Sequence, residues 1–304
     1  MNSFYWEKLN YLIFLKRILF YGSKGWIGSE IYSLLIQHNE LNVIIGESRV
    51  DNKETLENEI ITISPDCVIS TIGRTHGYIN GVLYNSSDYL DQDGKLVENL
   101  TDNLYSPVSL AILSQKYNFY YVYVGTGCIF EYDEEHPFAS EERGYDEDSR
   151  PNFFGSSYST VKGITDMLMH YFEDTTLNVR IRMPISSKPS RGNFITKLLG
   201  YKKISSTPNS MTFLDELLPV LVNMIINKEK GTINLTNPGL ITNDEILHHY
   251  KEIVDPEFTW ETFTTEEQNK LLGSKKSNNY LDTKKLEKIA HIDNINIIKV
   301  IFLR

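Results

Sequence analysis

Tyr158 and Lys162 have the spacing of a proton donor and a supporting cation. They form the pattern Tyr-x-x-x-Lys near the start of a long predicted helix, residues 156–172. Side chains four residues apart lie on one face of a helix, so the phenol and the ammonium should point the same way. A nearby ammonium lowers the pKa of a tyrosine, normally about 10, toward the working range of a general acid. We therefore predict that Tyr158 donates a proton in a reaction and that Lys162 assists it.

A second group of chemically active residues follows the apolar run 119–124. The chain continues there as Gly-Thr-Gly-Cys, which places Thr126 and Cys128 just beyond a predicted strand. The Thr126 hydroxyl can then hydrogen-bond a substrate carbonyl beside Tyr158. For Cys128 two interpretations are open from the residues alone. It is either a small buried apolar residue, the commoner fate of a free cysteine, or a thiol that exchanges protons.

A glycine-rich turn near the N-terminus predicts a binding site for a dinucleotide. Gly22, Gly25 and Gly28 follow the apolar strand 17–21 and open a helix. The first glycine permits the tight turn, the second lets the backbone approach a pyrophosphate, and the third lets the helix pack closely on the strand. A glycine-rich turn without a ligand is the alternative, but the strand–turn–helix context favours the cofactor. The expected cofactor contacts in this turn are Gly22, Lys24, Gly25, Trp26, Ile27 and Gly28.

The end of the second predicted strand indicates which cofactor binds. Sites that prefer NAD usually place an acidic residue there, whereas this chain has Ser48 and Arg49. A hydroxyl and a guanidinium suit a 2′-phosphate, so we expect NADPH. The alternative is that Arg49 is a solvated loop charge. Tyr158 and Lys162 are expected to contact the same cofactor, with Lys162 holding the nicotinamide ribose.

The alternation of strands and helices predicts an α/β fold with a doubly wound parallel sheet of the Rossmann type. The predicted strands are 17–21, 41–45, 66–72, 119–124 and 178–182. The predicted helices between them are 26–37, 53–61, 102–117 and 156–172. Beyond Pro184 the alternation weakens to a helix at 213–227 and a strand at 232–235. We expect a cofactor-binding domain, 1–183, and a smaller substrate-binding lobe, 184–304, which share one core.

Composition excludes several classes of partner. The 304 residues carry a formal net charge of −10, which argues against a nucleic-acid partner because phosphate backbones attract basic surfaces. The apolar run near the N-terminus is too short for a membrane span. Two cysteines, Cys67 and Cys128, favour a reducing cytoplasm over a disulfide framework. The acidic stretches 133–135 and 141–148 lack a metal-ligand spacing, so no metal site is expected. A homodimer is expected only from the general frequency of symmetric dimers.

Several long motifs resemble one enzyme family. The chain is similar to the bifunctional nucleotide-4-keto-6-deoxyglucose 3,5-epimerase/4-reductases of rhamnose biosynthesis, which are extended short-chain dehydrogenases/reductases. The same domain forms the carboxyl-terminal half of plant rhamnose synthases. The matching stretches are GSKGWIG (22–28), GTGCIFEYD (125–133), PNFFGSSYSTVK (151–162), RIRMPISS (180–187), RGNFITK (191–197), NSMTFLDELLP (209–219) and LTNPGLITNDEIL (235–247).

The resemblance implies a substrate and a set of site residues. The substrate would be UDP- or dTDP-4-keto-6-deoxyglucose and the product the corresponding nucleotide-linked L-rhamnose, with UDP favoured by the plant-type motifs. Cys128 and Lys197 match the pair proposed in the family for proton exchange at carbons 3 and 5. For Lys197 the alternative is an exposed helix charge or a diphosphate contact. The expected substrate-binding residues are Thr75, Asn103, Arg182, Arg191, Asn193 and Asn209.

Other functions remain open at this point. Asn103 is either a support for Lys162 through water or a solvated helix residue, and the arginines are either diphosphate ligands or surface ion pairs. A monofunctional 4-keto-sugar reductase would need neither Cys128 nor Lys197. A non-catalytic regulator that binds NADP(H) is less favoured because both Tyr158 and Lys162 are retained. A separate 4,6-dehydratase is expected to supply the keto sugar.

Overall fold

A six-stranded parallel sheet forms the centre of the protein, with the order β2-β1-β3-β6-β7-β9. The structure is a computed structural model, and it describes residues 17–138, 140–264, 266, 267, 270 and 276–292. The strands are β1 (Arg17–Tyr21), β2 (Asn42–Ile45), β3 (Cys67–Ser70), β4 (Gly77–Ile79), β5 (Val82–Tyr84), β6 (Tyr120–Thr126), β7 (Thr176–Ile181), β8 (Lys203–Ser205), β9 (Gly231–Asn234) and β10 (Glu261–Phe263). The strand order changes direction between β1 and β3, and ligands bind outside the carboxyl ends of strands at such a point.

Helices cover both faces of the sheet. They are α1 (Trp26–Leu35), α2 (Lys53–Ile63), α3 (Leu96–Leu100), α4 (Ser106–Tyr117), α5 (Ser157–Met169), α6 (Phe194–Leu198), α7 (Leu214–Ile226), α8 (Asn243–Ile253) and α9 (Lys284–Ile289). Ile18 and Phe20 of β1 pack toward α1 and α7, whereas Leu19 of the same strand packs toward α2 and α4. This alternation follows from the two-residue period of a strand. It confirms the predicted doubly wound α/β sheet.

The long helix that precedes β6 differs from its prediction. It was expected at 102–117, but it begins with α3 at Leu96 and passes through one π-helical stretch, Thr101–Tyr105, before α4. Asn103 lies inside this stretch and is fully buried. A π-helical turn widens the helix locally, and such turns are frequent at functional sites.

The carboxyl-terminal part of the chain contributes to both the lobe and the sheet. Elements α6, β8, α8 and β10 surround a small apolar core that includes Ile195, Ile204 and Ile246. Helix α7 and strand β9 instead return to the main sheet, where β9 pairs with β7. The described residues after 183 therefore belong to two structural layers, and the division at 183/184 stays a prediction. Among the described residues, no helix is both long and apolar enough to span a bilayer.

Candidate active site

The turn between β1 and α1 has the geometry that its glycines predict. Gly22 has a φ of +85°, a left-handed conformation that favours glycine. A Cβ atom on Gly28 would lie 2.2 Å from the carbonyl oxygen of Gly22, which no side chain tolerates. Gly25 has only one close neighbour, at 3.3 Å from its ideal Cβ. The turn therefore needs glycine at two positions for packing, and Gly25 keeps open space beside the backbone.

The amino end of α1 can bind an anion. Gly25 is its N-cap, no side chain caps it, and no acidic residue lies in its first turn. The first backbone N–H groups of a helix have no partner within the helix and carry a partial positive charge. Trp26 stands beside this turn with its ring against the backbone of Gly192, where a Cβ would come within 2.3 Å. The arrangement fits a dinucleotide whose pyrophosphate lies on α1.

The loop after β2 is organised by one carboxylate. Glu59 of α2 accepts hydrogen bonds from the backbone N–H of Glu47 at 2.8 Å, the N–H of Ser48 at 3.1 Å and the phenol of Tyr21 at 2.7 Å. Arg49 is 74% exposed and forms a forked ion pair with Asp51 at 2.8 and 2.9 Å. The loop thus presents a cation beside the expected adenosine ribose.

Thr126, Cys128 and Tyr158 come together at the carboxyl end of β6. The backbone N–H of Cys128 donates to the Thr126 hydroxyl at 3.1 Å. Three effects act on the pKa of Tyr158: burial raises it most, the nearby Cys128 raises it further, and a hydrogen bond with Thr126 lowers it. The predicted proximity of these three side chains is thus present in the structure.

Lys162 lies beneath Tyr158 in a buried environment. It is 5% exposed, its Nζ donates to the hydroxyl of Tyr123 at 2.8 Å, and it lies 6.0 Å from the centre of the Tyr158 ring. A Cβ on Gly73 would lie 3.3 Å from this Nζ and 3.3 Å from Asn103 Oδ1. The ammonium therefore lies beside the Tyr123 phenol and close to the backbone of Gly73, in the loop after β3.

The electrostatic effect expected of Lys162 on Tyr158 is wrong for this structure. The pKa of Tyr158 is raised by burial rather than lowered. Burial also lowers the pKa of Lys162 from 10.5 to about 7, although the distant charge of Asp102 opposes this change. Desolvation outweighs the hydrogen bond with Thr126 at Tyr158 and the charge of Asp102 at Lys162, because a buried group is stabilised in its uncharged form.

Asn103 fixes the loop that follows β3. Its Nδ2 donates to the carbonyl oxygen of Arg74 at 3.0 Å, and its Oδ1 accepts from the N–H of Arg74 at 3.1 Å. The Arg74 side chain is bound in turn to Asp102 at 2.5 Å. Asn103 has no exposed surface, and it also donates to Asn99 Oδ1 at 2.9 Å and accepts from the Thr165 hydroxyl at 2.6 Å. Its neighbour at the loop, Thr75, is exposed and lies 3.3 Å from the His76 ring.

A group of cations surrounds His76 at the rim of the site. Burial lowers the pKa of His76, and the charges of Arg191, Lys197 and Arg74 lower it further. Burial likewise lowers the pKa of Lys197, and the neighbouring charge of Arg191 adds to this effect. Arg191 is exposed, whereas Lys197 on α6 is half-buried. This rim is positively charged in a protein of net charge −10, which suits an anionic ligand.

The other three residues expected to bind substrate are buried against protein partners. Asn193 is fully buried, caps α6 and donates to the carbonyl oxygens of residues 186 and 188. Arg182 is 1% exposed and donates to Cys128 Sγ at 3.4 Å, and it also hydrogen-bonds Asn209. Asn209 is 3% exposed and also accepts from the N–H of Asn279 at 3.0 Å. These three side chains form part of the floor below the site.

Similarity to known proteins identifies the family. No family model matches the chain. It is 50% identical over 271 residues to the uncharacterized protein L780 of Acanthamoeba polyphaga mimivirus, covering 89% of this chain and 91% of the relative. It is 37% identical over 270 residues to the bifunctional dTDP-4-dehydrorhamnose 3,5-epimerase/dTDP-4-dehydrorhamnose reductase of Arabidopsis thaliana, covering 88% of this chain and 86% of that protein. The chain belongs to this bifunctional epimerase/reductase family.

Solved structures agree with the fold of the epimerase/reductase. The crystal structure of the L780 UDP-rhamnose synthase from the same mimivirus matches with a TM-score of 0.89 and 47% identity, over 96% of this chain and 100% of the other. A dTDP-4-dehydrorhamnose reductase from Bacillus anthracis, solved in complex with NADP, matches with a TM-score of 0.74 over 94% of this chain and 97% of the other. Its identity of 16% supports the shared fold alone.

Two residues of the candidate site were not predicted from the sequence. Tyr123 holds Lys162 from below, and His76 lies among the cations of the rim. A signal was present for Tyr123, since it precedes Thr126 on a fully buried strand. A buried phenol needs a hydrogen-bond partner, and a lysine four residues after a second tyrosine is a candidate partner. No comparable pattern marks His76.

Proposed function

We propose that this protein converts UDP-4-keto-6-deoxyglucose into UDP-β-L-rhamnose by inverting carbons 3 and 5 and reducing carbon 4 with NADPH. The observation that carries this proposal is the meeting of Thr126, Cys128 and Tyr158 above Lys162, at the sheet edge where the glycine turn also opens. Similarity to the bifunctional Arabidopsis enzyme supports the two-part chemistry. Similarity to the mimivirus UDP-rhamnose synthase supports UDP as the nucleotide.

The epimerisation step uses proton transfer at carbon. The 4-keto group acidifies the hydrogens on carbons 3 and 5, so a base removes each proton to leave an enolate. An acid then returns a proton from the opposite face of the ring. Cys128 and Lys197 exchange these protons, and the lowered pKa of Lys197, caused first by burial, eases release of its proton. Thr126 and Tyr158 donate hydrogen bonds to the enolate oxygen.

The reduction step uses the same two hydroxyls. When bound, the nicotinamide supplies a hydride to carbon 4. Tyr158 donates the proton that the new hydroxyl requires, and Thr126 holds the carbonyl oxygen in line. Lys162 lies 6.0 Å from the Tyr158 ring and places a positive charge below the phenol.

NADPH rather than NADH is proposed from the loop after β2. The Arg49 side chain is exposed, and one edge of its guanidinium binds the loop carboxylate of Asp51. A 2′-phosphate can replace this carboxylate. The test is the ratio of kcat/KM for NADPH to that for NADH. Arg49→Ala should lower this ratio at least tenfold, whereas Lys53→Ala, on the neighbouring helix, should leave it unchanged. A wild-type preference for NADH would overturn the assignment.

The nucleotide diphosphate is proposed to bind at the rim. Arg191 and His76 face this region together with Thr75, and the rim carries the local positive charge that a diphosphate needs. The buried residues Arg182 and Asn209 shape the floor instead of contacting the diphosphate. Arg191→Ala should therefore raise the KM for the sugar nucleotide about tenfold or more while kcat changes less.

One incubation tests the whole reaction. The protein is mixed with UDP-4-keto-6-deoxyglucose and NADPH in deuterated water, and the product is analysed by NMR. Deuterium at carbons 3 and 5 of UDP-L-rhamnose is the expected result. Cys128→Ala should lose this incorporation, and Tyr158→Phe should retain some exchange while reduction stops. Reduction without deuterium at either carbon would identify a reductase alone, and a parallel reaction with the dTDP-linked sugar compares the two nucleotides.

The cellular setting follows from the same proposal. A separate 4,6-dehydratase reaction supplies the keto sugar, and the cytoplasm is the proposed location because both cysteines are free thiols.

A homodimer is proposed through the neighbouring helices α4 and α5. Both helices expose large apolar side chains on one outer face, namely Ile112 at 52%, Ile164 at 37%, Met167 at 36% and, just after α5, Tyr171 at 79%. A second copy of this chain would cover that face.

A further inference from the structure

Arg182 carries a buried charge that no carboxylate balances. It follows β7 and is 1% exposed, and a guanidinium stays protonated in proteins. Its Nη1 donates to Cys128 Sγ at 3.4 Å and to Ser277 Oγ at 3.2 Å, and its Nη2 donates to the Ser277 carbonyl oxygen at 2.8 Å. Within the described part of the chain, no Asp or Glu lies within ion-pair distance of it. A buried charge surrounded by neutral acceptors is unfavourable unless a neighbour becomes an anion.

A second buried arginine, on β7 itself, shows the contrast. Arg180 precedes Arg182 by two residues along the chain. Arg180 is also fully buried, but it binds Asp166 through two hydrogen bonds, at 2.7 and 2.9 Å. The fold therefore supplies a carboxylate to one of these guanidinium groups and a thiol to the other.

Few ionisable groups face Arg182. The charges that act on it come from Cys128 and Tyr132. Burial raises the pKa of Tyr132 to about 12, and its hydroxyl donates to the carbonyl oxygen of Pro208 at 2.9 Å, so this phenol keeps its proton. Tyr158 faces Cys128 from α5, and burial raises its pKa as well. The thiol is the remaining group that can supply a negative charge next to the guanidinium.

We propose that Arg182 is a positioning residue that fixes the Cys128 side chain and serves as the counter-ion of its thiolate during proton exchange. This inference rests on the proposed epimerisation. In one direction a carbon–hydrogen bond of the sugar breaks, its electron pair stays on the sugar as an enolate, and a sulfur–hydrogen bond forms. In the other direction the thiol gives its proton to the enolate carbon and becomes a thiolate. Either direction passes through the thiolate, so the same guanidinium serves both.

Alkylation of Cys128 by iodoacetamide tests this inference without any substrate. Cys67, the other cysteine, is fully buried and its pKa is raised by burial, so it should stay unmodified. The alkylation rate is measured from pH 5 to pH 10 for the wild type, Arg182→Met and Arg182→Lys. In Arg182→Met the midpoint of the pH profile should rise by at least about one pH unit, and the rate at pH 7 should fall about tenfold. Arg182→Lys, which keeps a cation, should restore at least half of the change in midpoint. Identical midpoints in all three proteins would overturn the inference.

A second measurement uses a variant that removes only the thiol. If Arg182→Met does not fold, unfolding of the wild type and of Cys128→Ala by urea is compared at pH 5.5 and pH 8.5. A paired thiolate stabilises the folded state once it has formed, so the stability advantage of the wild type should be larger at the higher pH. An advantage of equal size at both pH values would contradict the pairing.

The outcome is distinguishable from failure of the proposed function. If the alkylation midpoint moves but no deuterium enters the sugar, the ion pair exists and the epimerase assignment is wrong. If deuterium enters normally in the wild type and the midpoint does not move, only the inference fails.

A further readout compares the rates of epimerisation and reduction in the same variant. Arg182→Met should slow exchange at carbons 3 and 5 about tenfold and leave reduction of an already epimerised 4-keto sugar within about threefold of the wild type.

Discussion

Replacing Lys162 by methionine tests whether the ammonium of the active site is held away from water. Lys162 is 5% exposed, and burial lowers its pKa from 10.5 to about 7. Because one pKa unit corresponds to about 1.4 kcal/mol, keeping this lysine charged in the folded protein costs about 5 kcal/mol at pH 6. Methionine occupies a similar volume without a charge. Lys162→Met should therefore gain stability relative to the wild type at acidic pH.

The gain should depend on pH with a defined sign. Between pH 7 and pH 10.5 the unfolded chain binds a proton that the folded protein does not, so the stability of the wild type rises with pH. At pH 9 the same two pKa values leave a cost of about 2 kcal/mol. The advantage of Lys162→Met should thus shrink by about 3 kcal/mol from pH 6 to pH 9. The hydrogen bond to Tyr123 that methionine cannot donate affects the variant at both pH values and cancels in this difference.

The assay is urea unfolding followed by tryptophan fluorescence at pH 6 and pH 9. It compares the wild type, Lys162→Met and a matched control, Lys202→Met, at a lysine that is exposed on the surface. The control should differ from the wild type by less than about 0.5 kcal/mol at either pH. If the advantage of Lys162→Met is the same at both pH values, the ammonium is solvated in the folded protein and the reasoning is refuted.

Three further predictions concern packing, electrostatics and assembly. Gly28→Ala should lower the free energy of unfolding by about 2 kcal/mol or more and weaken NADPH binding, because the new Cβ would lie 2.2 Å from a carbonyl oxygen. The control Gly25→Ala should lower the free energy of unfolding by less than about 1 kcal/mol. Equal losses for the two variants in urea unfolding and NADPH titration would contradict this prediction. Tyr123→Phe removes the hydroxyl that favours the charged ammonium, so the alkaline limb of the kcat profile should move about one pH unit lower, and an unmoved limb would exclude this role. Ile112→Asp should give a monomer in sedimentation velocity while Ile61→Asp, at an equally exposed site on α2, leaves a dimer; a monomeric wild type would rule out the proposed interface.

Local patterns were sufficient to predict the turn and the pairs that lie close along the chain. The strand–glycine–helix unit that starts at β1 forms where its glycines indicate, because the constraint comes from backbone conformation and close approach. Tyr158 and Lys162 share one face of α5 because helical spacing fixes their relation. A missed local feature is the hairpin β4–β5, whose turn residues Asn80 and Gly81 have φ values of +50° and +79°. Asn-Gly between short apolar runs is a recognised hairpin signal, so this turn was predictable from the sequence.

Features that depend on distant segments could not be predicted. The π-helical stretch at 101–105 coincides with hydrogen bonds to Asn103 from Arg74, after β3, and from Thr165 of α5, which donates to its carbonyl oxygen at 2.6 Å. Helix propensity carries no information about these partners. Arg182 similarly binds Ser277, which lies 95 residues further along the chain. Arg182 was expected to bind the substrate, and only the tertiary contacts place it below Cys128.

The distribution of carboxylates around the buried cations separates structural charges from those available to a reaction. Arg180 has Asp166 as a permanent anion, so its charge is already neutralised. Lys162 and Arg182 are as well buried, yet their described hydrogen-bond partners are a phenol, amides, hydroxyls and a thiol. A cation with only neutral partners interacts most strongly with whatever anion forms beside it, and in a site of low dielectric that attraction is large. Enolate formation and reduction of a ketone both create transient anions at this edge of the sheet. In the proposed reaction a permanent carboxylate beside Lys162 or Arg182 would cancel the charge that the proposed transition states require, and this is the reason we propose for the stability cost of leaving both without one.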